Sequence, residues 1–137
     1  MYMLDTNILI YAIRKPCGPV TERIIHEAAE GRVCISAVTY GELEVGILKS
    51  RNPLQNRRAV NAALAGIPVL SYDTFAAGCY AQIRAKLERE GIPVDDPDMM
   101  IGGHSVAAGC ILVTNNIKHF ERMGIPLENW VESTGDR

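Results

Sequence analysis

No stretch of this 137-residue chain approaches the roughly 20 consecutive apolar residues that a helix needs to cross a bilayer. The start, Met1-Tyr2-Met3-Leu4-Asp5, also lacks the basic first segment and cleavage pattern of a secretory leader. Neither a membrane protein nor a secreted one is expected, and a cytoplasmic location is. Zinc ribbons and disulfide frameworks are unsupported. Cys17, Cys34, Cys79 and Cys110 lie far apart and form no CxxC, and two of them sit inside apolar strand-like runs, which points to burial as reduced thiols. Bulk positive charge is missing as well. With a net charge of −2, any affinity for nucleic acid has to come from where the basic residues lie. Lys49, Arg51, Arg57 and Arg58 form the densest basic stretch, and Arg84, Lys86 and Arg89 a second. Each taken alone reads first as a solvated helix face.

The chain does have enough apolar material, 47% of its residues, for one domain over 1–137 with an adequate core. It also has carboxylates where charge is expensive. Asp5 follows Tyr2-Met3-Leu4, Glu42 follows the run Val33 to Ser36, and Asp98 precedes Met99-Met100-Ile101. A carboxylate against buried apolar surface costs several kcal/mol unless it is paired or bound to a cation. No basic residue stands beside these three in sequence, so a hard divalent cation is the expected partner. Mg²⁺ takes oxygen ligands and keeps several waters, which leaves room for a phosphate oxygen.

The order of elements is alternating. Strands are expected at Tyr2 to Leu4, Val33 to Ser36, Val69 to Ser71 and Cys110 to Val113, with Trp130-Val131 as a final edge strand. Helices are expected at Thr6 to Arg14, Thr21 to Gly31, Val38 to Lys49, Pro53 to Ala65, Asp73 or Thr74 to Glu90, Asp98 to Ala108 and Lys118 to Arg122. Strands separated by helices imply an α/β fold, a central parallel sheet of four to five strands with helices on both faces. Ligands in such sheets sit at the carboxyl ends of strands. Asp5, Glu42, Asp98 and Asn116 can all reach that edge.

These residues also form a set. Leu4-Asp5-Thr6-Asn7, Ser36 through Leu43 (SAVTYGEL), Tyr80 through Arg84, Gly91-Ile92-Pro93, Asp98 through His104 (DMMIGGH) and Val113-Thr114-Asn115-Asn116 through Phe120 together resemble the PIN-domain ribonucleases, and among them the VapC toxins of bacterial toxin-antitoxin pairs. The likeness spans nearly the whole chain. It implies a PIN-like domain, Mg²⁺- or Mn²⁺-dependent RNA cleavage, a homodimer, and inhibition by a cognate VapB-type antitoxin. The group acting on initiator tRNA at the anticodon stem-loop is among its close relatives. Carried across, Asp5, Glu42 and Asp98 fall on the family's acids, as catalytic residues and metal ligands. Thr6, Asn7, Thr114 and Asn116 would hold surrounding waters or position the substrate. Many relatives have aspartate where this chain has Asn116. An amide brings an oxygen but no charge, so one bound metal is expected rather than two. The chemistry needs no nucleophilic side chain, because a divalent ion activates water and stabilises charge on phosphate oxygens.

Each acid has a structural alternative. Asp5 and Asp98 are good helix caps, and Glu42 fits the solvent face of an amphipathic helix. Asp73 reads as a cap, Asp95 and Asp96 as loop charges, and His104 as a packing or hydrogen-bonding histidine; His119 stands where relatives often carry an acid. Gly102-Gly103 suits close helix packing. Two other functions remain: a PIN-like module that binds RNA or antitoxin with little catalysis, favoured by Asn116, and a phosphatase or receiver-like domain with Asp5 as phospho-acceptor. The latter lacks a lysine after a later strand in the expected manner, since Thr114-Asn115-Asn116 occupies that place.

Overall fold

The computed structural model describes residues 1–131. Five strands, β1 (Tyr2–Leu4), β2 (Val33–Ser36), β3 (Val69–Leu70), β4 (Ile111–Val113) and β5 (Leu127–Glu128), form one sheet in the order β3-β2-β1-β4-β5. Every neighbouring pair is parallel. The connections are helical: α1 (Thr6–Arg14) and α2 (Pro19–Ala29) join β1 to β2, and α3 (Ala37–Leu48) and α4 (Pro53–Leu64) join β2 to β3. Next come α5 (Thr74–Arg89) and α6 (Asp96–Ala107) before β4, with the short α7 (Ile117–Phe120) and a 3₁₀ turn at Glu121–Met123 before β5.

Side chains alternate across the sheet, so each strand feeds two cores. Leu4, Val33, Ile35 and Val113 point to one face, where Ile8, Leu9, Val20, Ile24 and Leu43 cover them. Met3, Cys34 and Leu112 point to the other, beneath Ile83, Leu87, Met99, Ile101 and Phe120. Both faces are therefore dry, as parallel sheets require. Glycines at positive φ end several helices. Gly66 (φ 76°) and Gly109 (φ 69°) turn the chain into β3 and β4 in the left-handed region that other residues avoid.

β1 is the switch point. The chain runs outward from it through β2 to β3, then returns to its other side as β4. Leu4 pairs with Val113 and Met3 with Cys34, so Asp5, Ser36 and Thr114 leave the sheet at the same edge. Crevices at such a reversal are where open α/β sheets bind ligands.

Three expectations need correction. The last strand is Leu127–Glu128, not Trp130-Val131. Trp130 is instead buried, with its ring edge against Tyr2 at 5.1 Å, the Arg23 guanidinium 4.2 Å over its face, and Nε1 donating to Glu128 Oε1 at 3.0 Å. An indole with those contacts is held by packing, not by a ladder. Asp96 is not a loop charge: it begins α6 and accepts from Tyr80 Oη at 2.8 Å and Arg84 at 3.2 Å. Cys17 is exposed, whereas Cys34 and Cys110 are buried with their sulfurs 3.8 Å apart. Among the described residues no helix is long and apolar enough to cross a membrane.

Candidate active site

Asp5 is the N-cap of α1, and its Oδ1 accepts from the Ile8 amide at 2.8 Å. Capping therefore holds, but it does not exhaust the residue. The side chain is 1% exposed, and Oδ2 accepts from Thr114 Oγ1 at 2.7 Å. Burial pushes its pKa up to about 7. The two hydrogen bonds pull the other way, and the charges of Asp98 and Glu42 add to the rise. The three acids are thus close enough to feel one another, and among the described residues no Lys or Arg makes an ion pair with any of them.

Glu42 is the sixth residue of α3, half-buried. Thr6, the first residue of α1, donates its hydroxyl to Glu42 Oε1 at 2.5 Å. Thr39 lies fully buried one turn before Glu42 on the same helix face, with its hydroxyl 3.4 Å from that of Thr6. Asp98 sits in the first turn of α6 with 18% of its side chain exposed, and Oδ2 is 2.9 Å from His119 Nδ1 in α7. Asn116 precedes α7; its backbone amide donates to Thr114 Oγ1 at 2.9 Å, while its side chain is left without a described partner. Asn7 is exposed on the first turn of α1. All seven residues expected from the sequence thus gather at one edge of the sheet.

Thr39 and the His119–Asp98 contact were not singled out in the sequence. Thr39 had a signal, its i−3 spacing to Glu42. His119 stood out only as a place where relatives often carry an acid; its contact with Asp98, 21 residues away, has no local signal. Ser36 and His104 form a separate buried pair, Nδ1 to Oγ 2.7 Å, with the Tyr72 ring edge-on at 5.4 Å. Burial lowers the His104 pKa, so this histidine is a neutral core group. Asp73 is a cap, accepting from the Ala76 amide at 2.9 Å. The two basic stretches are partly spoken for: Arg57 makes two hydrogen bonds to Glu44, at 2.9 and 2.8 Å, and Arg84 is bound by Glu88 and Asp96.

The groups around Asp5 are mostly oxygen donors, three carboxylates, the hydroxyls of Thr6, Thr39 and Thr114 and the Asn116 amide, with one imidazole, His119, held on Asp98. Soft metals are disfavoured there and hard divalent ions suited. A buried carboxylate whose pKa is raised beside two further acids is what a cation would relieve. Among the described residues no three acidic, histidine or cysteine side chains converge as a ready-made metal cage.

Residues 2–126 match the model of the PIN domain. The chain is 44% identical over 130 residues to the tRNA(fMet)-specific endonuclease VapC of Shigella flexneri, covering 94% of this chain and 97% of that protein. It is 34% identical to the Ribonuclease VapC2 of Rickettsia felis, covering 95% and 98%. Among solved structures, the DNA-bound VapBC of Salmonella typhimurium aligns with a TM-score of 0.88 at 42% identity, covering 94% of this chain and 97% of that one. VapBC2 of Rickettsia felis, bound to a promoter DNA fragment, aligns with a TM-score of 0.88 at 33% identity over 94% and 98%.

Proposed function

The chain belongs to the PIN-domain family, among its VapC-type ribonucleases, and from that premise we propose that it is the Mg²⁺-dependent endoribonuclease toxin of a VapBC-type pair. Its substrate is structured RNA, with initiator tRNA, cut in the anticodon stem-loop, as the preferred target. Cleavage there stops translation and places the activity in the cytoplasm. The observation that carries the proposal is the buried Asp5 carboxylate at the sheet's switch point, flanked by Glu42 and Asp98, with no Lys or Arg among the described residues in an ion pair with it. Relatives named as VapC endonucleases over nearly their whole length support it.

Asp5 and Asp98 would hold the ion directly, and Mn²⁺ suits the same donors. Bound there, a divalent ion lowers the pKa of a water and stabilises charge on the phosphate oxygens. The residues around it set geometry. Thr114 fixes Asp5 Oδ2, and His119 fixes Asp98 Oδ2. Thr6 occupies Glu42 Oε1, leaving Oε2 to bind the ion or to orient the attacking water. Asn116 contributes an oxygen without a charge, which favours one ion over two.

The partners follow from two apolar surfaces. A cavity of about 400 Å³ between α1, α2 and α4, walled by Ile13, Ile24, Ile25, Ala62 and Ala63, suits an apolar helix face of a VapB-type antitoxin. Tyr40, Val45, Leu48 and Leu54 are exposed along α3 and α4, as expected of a homodimer interface. A basic antitoxin side chain reaching the three acids would compete with the ion.

The test is cleavage of structured RNA in Mg²⁺ or Mn²⁺, with and without EDTA. Chelation should stop it, and Asp5→Asn should abolish it in a folded protein. Full cleavage in excess chelator, or by the asparagine variant, would sink the proposal.

A further inference from the structure

The acid centre cannot bind RNA by itself, because three carboxylates repel phosphates. Cationic or hydrogen-bonding groups must stand beside it. In the basic stretches prominent in the sequence, Arg57 and Arg84 are committed to carboxylates. A different wall is better placed. Beside the centre lies a cavity of about 540 Å³ lined by Asn7, Ile10, Tyr11, Arg14, Lys15, Asn115 and Asn116. It adjoins the acids covalently at both ends: Asn7 is two residues past Asp5, and Asn116 two past Thr114, whose hydroxyl binds Asp5.

The lining has the chemistry of a nucleotide site. Arg14 is exposed in the last turn of α1 and makes no hydrogen bond or ion pair among the described residues. Lys15 Nζ is steered onto the same wall by Tyr11, 3.1 Å from its hydroxyl and 4.8 Å from its ring centroid. The side-chain amides of Asn7, Asn115 and Asn116 hydrogen-bond no described residue. Each offers a donor pair and an acceptor, the groups that read a base edge. The volume falls within the roughly 300–1,000 Å³ of small-ligand sites, enough for one unstacked nucleotide.

Resting on the endoribonuclease reading above, we propose that this cavity is a nucleotide subsite. It takes the unstacked nucleotide beside the scissile phosphate of a single-stranded RNA segment, with Arg14 and Lys15 on the phosphate and the three amides on the base. Loop nucleotides, splayed from their stack, are the RNA elements that such pockets can read.

The test measures binding rather than cleavage, so that it stands apart from the nuclease reading. That reading fails by absence of metal-dependent cleavage in the parent protein. Fluorescent RNA homopolymers of about 10 nucleotides, within the span of a single-strand groove, are titrated by anisotropy into the Asp5→Asn protein in EDTA at several salt concentrations. Adding Arg14→Ala and Lys15→Ala should weaken binding about tenfold and reduce the slope of log affinity against log salt by roughly 1.4, about 0.7 per single-strand phosphate contact. Lys15→Arg should retain affinity. Asn115→Ala should flatten the preference among the four homopolymers, an effect that lost charge alone does not produce. Circular dichroism of each variant checks that the fold is intact. The proposal is overturned if the double substitution leaves affinity and slope unchanged, or if Lys49→Ala with Arg58→Ala loses as much. It is equally overturned if the parent binds no RNA, or if polyglutamate binds the same wall as tightly.

Discussion

Thr114 Oγ1 donates to Asp5 Oδ2 at 2.7 Å, joining residues 109 positions apart. One hydroxyl thereby holds the carboxylate at the end of β1 from the end of β4. The same oxygen accepts from the Asn116 amide at 2.9 Å, so the loop bearing Asn115 and Asn116 and the acid centre share one anchor. Such partners set the orientation of a ligand before anything binds.

The buried Asp5 makes stability depend on pH in an unusual direction. Its folded pKa, about 7, lies above the roughly 3.9 of an unfolded aspartate. Between those values the folded state binds the extra proton, so stability falls as pH rises from about 4 to 7 and levels off above. The loss is about 4 kcal/mol in order of magnitude, at 1.36 kcal/mol per unit. Chelated protein followed by thermal melts across that range should show the decline. Asp5→Asn should lack this component, and Mg²⁺ should offset it in the parent protein near neutral pH. A parent that gains stability from pH 4 to 7 as strongly as the variant would contradict the assignment.

Thr6 is expected to work through Glu42. Thr6→Val keeps the shape but removes the 2.5 Å hydrogen bond. The turnover number should drop by roughly 10-fold or more, as for lost partners of a ligating group, with little change in melting temperature. Thr6→Ser should restore most of it. Equal loss in both variants would mean that the hydroxyl's bond to Glu42 does not by itself account for the effect.

Asn116→Asp adds a fourth carboxylate at the same mouth. Calorimetric titration with Mn²⁺ should show affinity tightened by roughly 10-fold. Unchanged affinity would mean that position 116 does not face the ion.

Gly103 and Gly102 offer a contrast in packing. A Cβ on Gly103 would lie 2.5 Å from the Tyr80 backbone nitrogen and 2.7 Å from its Cα, whereas one on Gly102 would meet the flexible Met123 side chain, Sδ at 2.7 Å. Gly103→Ala should push α6 off α5 and cost about 1–3 kcal/mol or more. Gly102→Ala should cost less, because Met123 can turn aside. Differential scanning calorimetry ranks the two, and a milder Gly103→Ala would refute the backbone contact.

Much of this molecule was written in local pattern. Proline at Pro53, glycine at Gly66 and Gly91, and apolar spacing in Thr74–Arg89 mark elements whose ends follow from backbone chemistry, and strand-helix alternation leaves a parallel sheet as the solution. Asp5, Glu42 and Asp98 stood out because charge beside an apolar run demands a reason. The misplacement of the last strand at Trp130 arose because a large apolar residue signals burial without saying in what form. Tertiary structure alone decided which groups meet. Thr6 with Glu42, Thr114 with Asp5 and His119 with Asp98 are contacts between elements brought together by strand order, and strand order is not encoded in any local period. The sequence by itself determined the elements, the two-faced sheet and the three acids, because propensity and solvation act residue by residue. The raised pKa of Asp5, the commitment of Arg57 and Arg84 to carboxylates, and the cavity beside Arg14 were settled only by folding, because each depends on distances between residues remote in the chain.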